Sequence, residues 1–452
     1  MTVAEPRFGS LLPDILASPP GGVSRSLAKR LKAVESRNIT YVDSGWPIFW
    51  QEARGSNVRD VDGNVYIDLS GAFGVALIGH AHAGVVRALR VQGENLLHGM
   101  GDIHPPVGKV ELIERLCGIA PWVGAQAVLT TSGSEAVEVA LKTAQIATGK
   151  PGIVAFKGAY HGLTMGALAV TDRAHFRSYF EAQLYKGVAF VPFPGCNGIS
   201  GVTADEALEL LRTALRHGAP NGDPIGAVII EPVQGRAGVR VPPDGFMAVL
   251  SDVAMEEGAI IIADEIFTGL GRCGSLLASE PLGLRPDIVC LGKVLGGGMP
   301  LSACLARQSI MCAWPQNDGE AIHTNTFLGH PLACATALAV LDIVEQHSIP
   351  ECAEVVGSEL LTELRGSLRD SDTVSEVRGC GLMIGIELVT AEGLPWKDGA
   401  VRVAEAALGH GLILLPAGEH GHVVELTPPV FLTGEQAAHS VAVLSSIIQK
   451  LH

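Results

Sequence analysis

No cysteine pair stands at CxxC spacing, and the nine cysteines are scattered without a framework. That argues against a zinc knuckle or a disulfide scaffold and points to a reducing, cytoplasmic setting. Basic residues are few: 32 Lys and Arg stand against 47 Asp and Glu, a formal net charge of −15. Such a chain is not expected to bind nucleic acid or an anionic membrane. No apolar run approaches the roughly 18–20 residues that a membrane helix needs. The stretch from Met1 to Phe8 lacks a basic segment leading into an apolar one, so no signal peptide is expected. Fixed-period repeats and low-complexity tracts are missing too. What remains is a well-buried globular composition, 47% hydrophobic and 17% charged over 452 residues. By length alone that is enough for roughly two or three domains.

From Phe49 to Leu69 the pattern predicts short antiparallel strands. Asp60-Val61-Asp62-Gly63-Asn64 is the turn between them, because Asp-Gly and Asn tolerate positive φ. From about residue 105 to 305 apolar runs alternate with amphipathic ones. Strands are predicted over 127–131, 152–156, 188–191, 227–231, 259–264, 287–292 and 301–305. Helices are predicted over 107–117, 134–148, 204–217, 246–257 and 330–346. This alternation is the pattern of an α/β fold, a mostly parallel seven-stranded sheet covered by helices on both faces. Right-handed crossovers gather the strand C-termini on one edge, where ligands bind. After residue 346 the rhythm changes to helices near 350–370, strands near 374–389 and 411–427, and a last helix from Gly434, an α+β pattern.

Four segments on that edge carry chemistry. The apolar run 287–292 ends in Lys293, followed by Gly296-Gly297-Gly298. The run 259–263 ends in Asp264-Glu265. A lysine at one strand end and a carboxylate at another is what pyridoxal phosphate needs. The amine forms the Schiff base, and the acid keeps the pyridine nitrogen protonated. In the run from Thr130 to Ala136 a strand opens directly into a helix. Gly133 lets backbone amides approach an anion, Ser134 caps and donates, and the helix N-terminus adds partial positive charge: a phosphate cup. Tyr160-His161-Gly162 presents an aromatic face to a flat ring, and Glu231 with Gln234 can order the ring or the lysine. Each run alone has an ordinary reading as a cap, a turn or a satisfied loop. The lysine and aspartate together call for a joint explanation.

Seven runs in order then resemble the class III (ornithine/ω-amino acid type) aminotransferases of PLP fold type I. They are Ser132–Glu138, Tyr160–Gly162, Glu231–Gly235, Asp264–Arg272, Leu291–Lys293 with Gly296–Gly298, Thr326–Pro331 and Val377–Leu382. The resemblance implies Lys293 as Schiff-base lysine and Asp264 as partner of the pyridine nitrogen. It implies Gly133 and Ser134 on the phosphate, Tyr160 and Ile266 sandwiching the ring, and His161 and Glu231 beside it. It implies Thr326 on the phosphate of a neighbouring subunit, hence a homodimer with shared sites, and Arg378 on the substrate carboxylate. It also implies a large PLP-binding domain over 81–330 and a smaller α+β domain over 331–452 to which residues 1–80 contribute.

Three positions depart from the ornithine-type pattern. Leu163 stands where an arginine often grips a distal carboxylate, so that arginine is missing. Arg236 stands where a glutamate often masks the carboxylate-binding arginine, leaving Arg378 without an evident neutralising partner. Phe267 replaces a glutamine that often contacts the ring hydroxyl. No metal is expected. The expected reaction is transfer of an amino group from an amine or amino acid to a 2-oxo acid, in a ping-pong cycle. A racemase, epimerase, decarboxylase or aminomutase would use the same lysine and differ in which bond breaks. A regulator with an added DNA-binding module finds no such module in the first 40 or so residues.

Overall fold

The run Ile225–Ile230 is a strand buried at every position, and Gly152–Phe156 and Ile288–Leu291 are buried throughout as well. Strands with no solvent face belong inside a sheet covered on both sides. The computed structural model describes residues 7–195, 201–316 and 318–451. In it a seven-stranded sheet runs in the order Ala125–Thr130, Ser302–Arg307, Ile288–Leu291, Ile260–Asp264, Ile225–Ile230, Gly152–Phe156, Val188–Val191. Six strands share one direction. Ser302–Arg307 is antiparallel to both its neighbours. Not every strand C-terminus therefore reaches the functional edge. The link from Leu291 to Ser302 is shorter than the dozen or so residues a parallel crossover needs, so the chain turns straight back. It is the beginning of this strand, at Ser302 opposite Thr130, that meets the edge.

Helix Gly133–Thr148 starts where the side chain of Ser132 accepts from the Glu135 N–H, and stops at Gly149 in the left-handed conformation. Its buried face, Ala136, Val137 and Ala140, shares one core with Ile229, Ile262, Ile288 and Cys304 from the sheet. Small residues on the helix let it lie close to the branched side chains below. Helix Ala204–His217 opens with a capping box between Thr203 and Glu206.

By contacts the chain divides into two units, Ala83–Glu354 and Met1–His82 with Val355–His452. The division expected after residue 330 thus falls after Glu354. The reason is helix Pro331–Gln346, which packs on helices Ala83–Asn95 and Val107–Ile119 and hydrogen-bonds through Thr336 to the Gly296 carbonyl, 2.9 Å away.

The other unit holds two four-stranded sheets. One runs Trp50–Arg54, Asn57–Asp60, Val65–Asp68, Leu412–Ile413, the last pair parallel. Its turn is tied by Asp60, whose Oδ1 accepts from the N–H groups of Asp62 and Asn64, both at 2.9 Å, while Gly63 takes φ +90°. The second runs Val374–Cys380, Met383–Leu388, Val423–Leu426, Leu415–Ala417, all antiparallel. Ile384, Ile386 and Leu426 from this sheet meet Leu360, Leu364, Leu444 and Ile448 from helices Ile349–Ser367 and Gly434–Lys450. Among the described residues no single helix is long and apolar enough to cross a membrane.

Candidate active site

Strand ends in the Ala83–Glu354 unit enclose a cavity of about 230 Å³. Lys293 enters it from the end of Ile288–Leu291, as the first residue of a single tight turn, Lys293–Gly296. Its φ is +47°, a left-handed conformation that costs a residue with a Cβ and recurs at functional sites. Its Nζ sits 3.3 Å from the centroid of the Phe267 ring.

Asp264 ends the neighbouring strand and is buried. Its Oδ2 lies 2.7 Å from His161 Nδ1, and its Oδ1 accepts from the Ile266 N–H at 3.1 Å. The Nε2 of the same imidazole is buried and makes no hydrogen bond. Glu231, one strand further on, joins two loops. Its Oε1 accepts from the Tyr160 N–H at 3.0 Å and its Oε2 from the Gly235 N–H at 3.1 Å. Burial pushes the Glu231 carboxyl up to about 7; the Asp264 carboxylate adds to the rise, and His161 with the two N–H groups opposes it. Burial also raises the Tyr160 hydroxyl, against the pull of the Arg236 and Arg173 guanidinium groups.

The helix Gly133–Thr148 points its N-terminus into the same cavity, through Ser132, Gly133 and Ser134. The capping residue is Ser132, not Ser134. The Ser134 hydroxyl instead accepts from the Leu163 N–H at 3.2 Å. Gly162, at φ +123°, must be glycine here, and Gly133 keeps side-chain bulk out of the entry. A Cβ at Gly162 would lie 2.1 Å from Ser134 Oγ, and one at Gly133 would press on Ile266 at 3.0 Å.

Of the residues singled out in the sequence, Gly133, Ser134, Tyr160, His161, Glu231, Asp264, Ile266, Lys293 and Arg236 all line this cavity. Gln234 does not; its amide is bound to the Lys157 carbonyl at 3.1 Å. The Leu163 side chain is exposed and outside the lining, and so is Thr326. Arg378 belongs to the other unit. There it is buried and paired with Glu376, at 2.9 Å, and with Glu387. The expectation that nothing neutralises Arg378 is therefore overturned: two carboxylates on its own sheet do so. Sequence reasoning overlooked the same-face spacing of Glu376, two residues before Arg378 on one strand, and it missed Glu387, which comes from the neighbouring strand opposite Glu376 and which only the register shows. It also missed the closeness of Phe267 to the lysine and the His161–Asp264 bond. A larger cavity, about 750 Å³, lies beside helix Val107–Ile119 and strand Ala125–Thr130 and contains none of these groups.

The smaller cavity fits pyridoxal phosphate by the chemistry of its lining. A helix N-terminus freed of side-chain bulk by Gly133 and Gly162 suits a phosphate. Tyr160 and Ile266 offer flat and aliphatic surfaces, Asp264 an anion and Lys293 an amine. A cofactor bound there would supply an electron sink, and these residues would orient it.

The model of the class-III aminotransferase family matches residues 40–448. A 4-aminobutyrate aminotransferase of Mycobacterium leprae is 36% identical over 96% of this chain and 98% of its own length. An alanine/serine racemase of Pyrococcus horikoshii is 33% identical over 97% of the chain and 93% of its own. Among solved structures, an aminotransferase of Bacillus anthracis superposes with a TM-score of 0.87 at 26% identity, over 95% of this chain and 99% of its own. A PLP-bound amine transaminase from an uncultivated Pseudomonas species, 31% identical, gives 0.84 over 93% of this chain and 99% of its own. The chain belongs to the class-III aminotransferases, enzymes that transfer amino groups by means of pyridoxal phosphate.

Proposed function

We propose that this aminotransferase hands its amino group to a 2-oxo acid bearing a second carboxylate, with Lys293 as the Schiff-base lysine and Asp264 as partner of the pyridine nitrogen. The observation that carries the substrate class is Arg236, which lines the same cavity as those two residues. A planar guanidinium suits two-point capture of a carboxylate. Arg378 lies in the other unit with two carboxylate partners, and Arg236, on the cavity wall, is assigned the second carboxylate of the acceptor. Mixing the loaded enzyme with amines in the absence of any keto acid tests the reaction. Conversion of the cofactor to its pyridoxamine form, with 2-oxoglutarate preferred over pyruvate for its return, is the expected result. Equal use of the two acceptors would remove the substrate class.

The racemase among the relatives supports a second reading, in which the amino group never leaves. Racemisation of an amino acid in deuterated water, without loss of amine, would favour that reading.

The working unit is a homodimer. Support comes from two segments packed on one another, with the His98 and Phe327 rings 5.4 Å apart and Thr324 Oγ1 3.0 Å from Asp102 Oδ2. Together they expose Leu97, Met100, Ile103 and Phe327, an apolar surface next to Thr326 of the kind that marks an interface. The scattered cysteines support a cytoplasmic setting. A fully active monomer in dilute sedimentation runs would contradict the dimer.

A further inference from the structure

We infer that Phe267 is a positioning residue for the proton carrier: its ring face receives the ammonium form of Lys293 when the amine is released from the cofactor. The inference rests on the reading of Lys293 as the Schiff-base lysine. Its observation is the Nζ lying 3.3 Å from the Phe267 centroid, both residues lining one cavity. Phe267 is 7% exposed, so packing holds most of its ring. The face of an aromatic ring is its negative side and attracts a cation.

The lysine in this chemistry must take a proton and give it back. A ring face favours the ammonium form and leaves the amine able to depart. The other charged or titratable groups of the cavity are Asp264 on its own strand end, Glu231 and Arg236 after the next strand, and His161 and Tyr160 after the one beyond. Asp264 and an ionised Glu231 favour the ammonium form and Arg236 opposes it. These groups set the background on which the ring acts.

The test follows the full-length chain stripped of cofactor, labelled with a trace of acylating reagent across a pH series and read at Lys293 by mass spectrometry. Phe267→Leu should lower the labelling midpoint by about one pH unit, a roughly tenfold loss of proton affinity. Phe267→Tyr, which keeps the ring face, should restore it. Should Phe267→Leu not fold, pentafluorophenylalanine at position 267 keeps the shape, reverses the ring's charge distribution and should lower the midpoint too. An unchanged midpoint, or Tyr and Leu shifting together, overturns the inference. Borohydride reduction of the loaded enzyme checks the underlying reading separately. Cofactor fixed on Lys293 supports it, and cofactor fixed on another lysine overturns it whatever the labelling shows.

Discussion

His161 Nδ1 and Asp264 Oδ2 meet at 2.7 Å although the residues come from the ends of two different strands. Both side chains are buried, so this is a polar contact in a poorly solvated place, where it is stronger and costlier to break than at the surface. The ring fixes the direction of the carboxylate, and the Ile266 N–H fixes its second oxygen. Asp264 is thereby held in one orientation at the cavity wall.

Asp264→Asn keeps the shape and removes the charge. Turnover should fall on the order of 10²-fold or more, as when a preorganised electrostatic partner is lost. His161→Leu removes only the support, and a loss of about ten- to hundred-fold is expected from one charge-assisted hydrogen bond. Steady-state kinetics on cofactor-saturated protein decides. A change under a few-fold in Asp264→Asn would exclude the assigned role.

Arg236→Ala should raise the Michaelis constant for 2-oxoglutarate by about ten- to hundred-fold, the weight of one charge-assisted contact of about 1.5–3 kcal/mol. The constant for pyruvate should move far less. Equal effects on both acceptors would mean that the guanidinium does not read the second carboxylate.

Glu231 stands near 7 in the folded chain, above the 4.5 of a free glutamate. Ionising it in place therefore costs stability. What the neutral acid contributes is fully present below about pH 4.5 and is lost as pH rises through 7. Glu231→Gln does not titrate. Its stability relative to the parent should improve between about pH 5 and pH 8, by at most about 3 kcal/mol. Thermal melts of the cofactor-free proteins at several pH values measure this. Parallel curves would show that the Tyr160 and Gly235 N–H groups keep the carboxylate ionised.

Arg378 balances Glu376 and Glu387 in a buried place. Arg378→Ala strands two carboxylates and should cost about 3–5 kcal/mol of stability, quite apart from any effect on substrate. Arg378→Met combined with Glu376→Gln and Glu387→Gln should recover most of that. Denaturant midpoints separate the two contributions. A single substitution that leaves the midpoint unmoved would mean the pairs carry no stability.

The sheet was legible because its strands are short apolar runs. Gly152–Phe156 and Val188–Val191 fall where the sequence predicts them, and helix Ala204–His217 is bounded by the cap and glycine its sequence displays. The glycines and strand-end polar groups likewise announced most of the cavity wall. What escaped was non-local. The Glu387 partner of Arg378 follows from strand register, the reversed direction of Ser302–Arg307 from the length of one link, and the affiliation of Pro331–Gln346 from helix packing. Phe267 was visible as a departure from the family pattern, but only the turn of the backbone at Lys293 brings its ring under the amine.

The parallel pair Val65–Asp68 and Leu412–Ile413 joins segments from opposite ends of the chain. On the ribosome the first strand emerges long before its neighbour has been translated. The Ala83–Glu354 unit, by contrast, is continuous in sequence and is complete while the last hundred or so residues are still to be made. The Val65–Asp68 strand must meanwhile wait with one edge unpaired, which is the condition that invites chaperone capture or aggregation. A chain cut before Leu412 would thus leave residue 67 without its backbone partner.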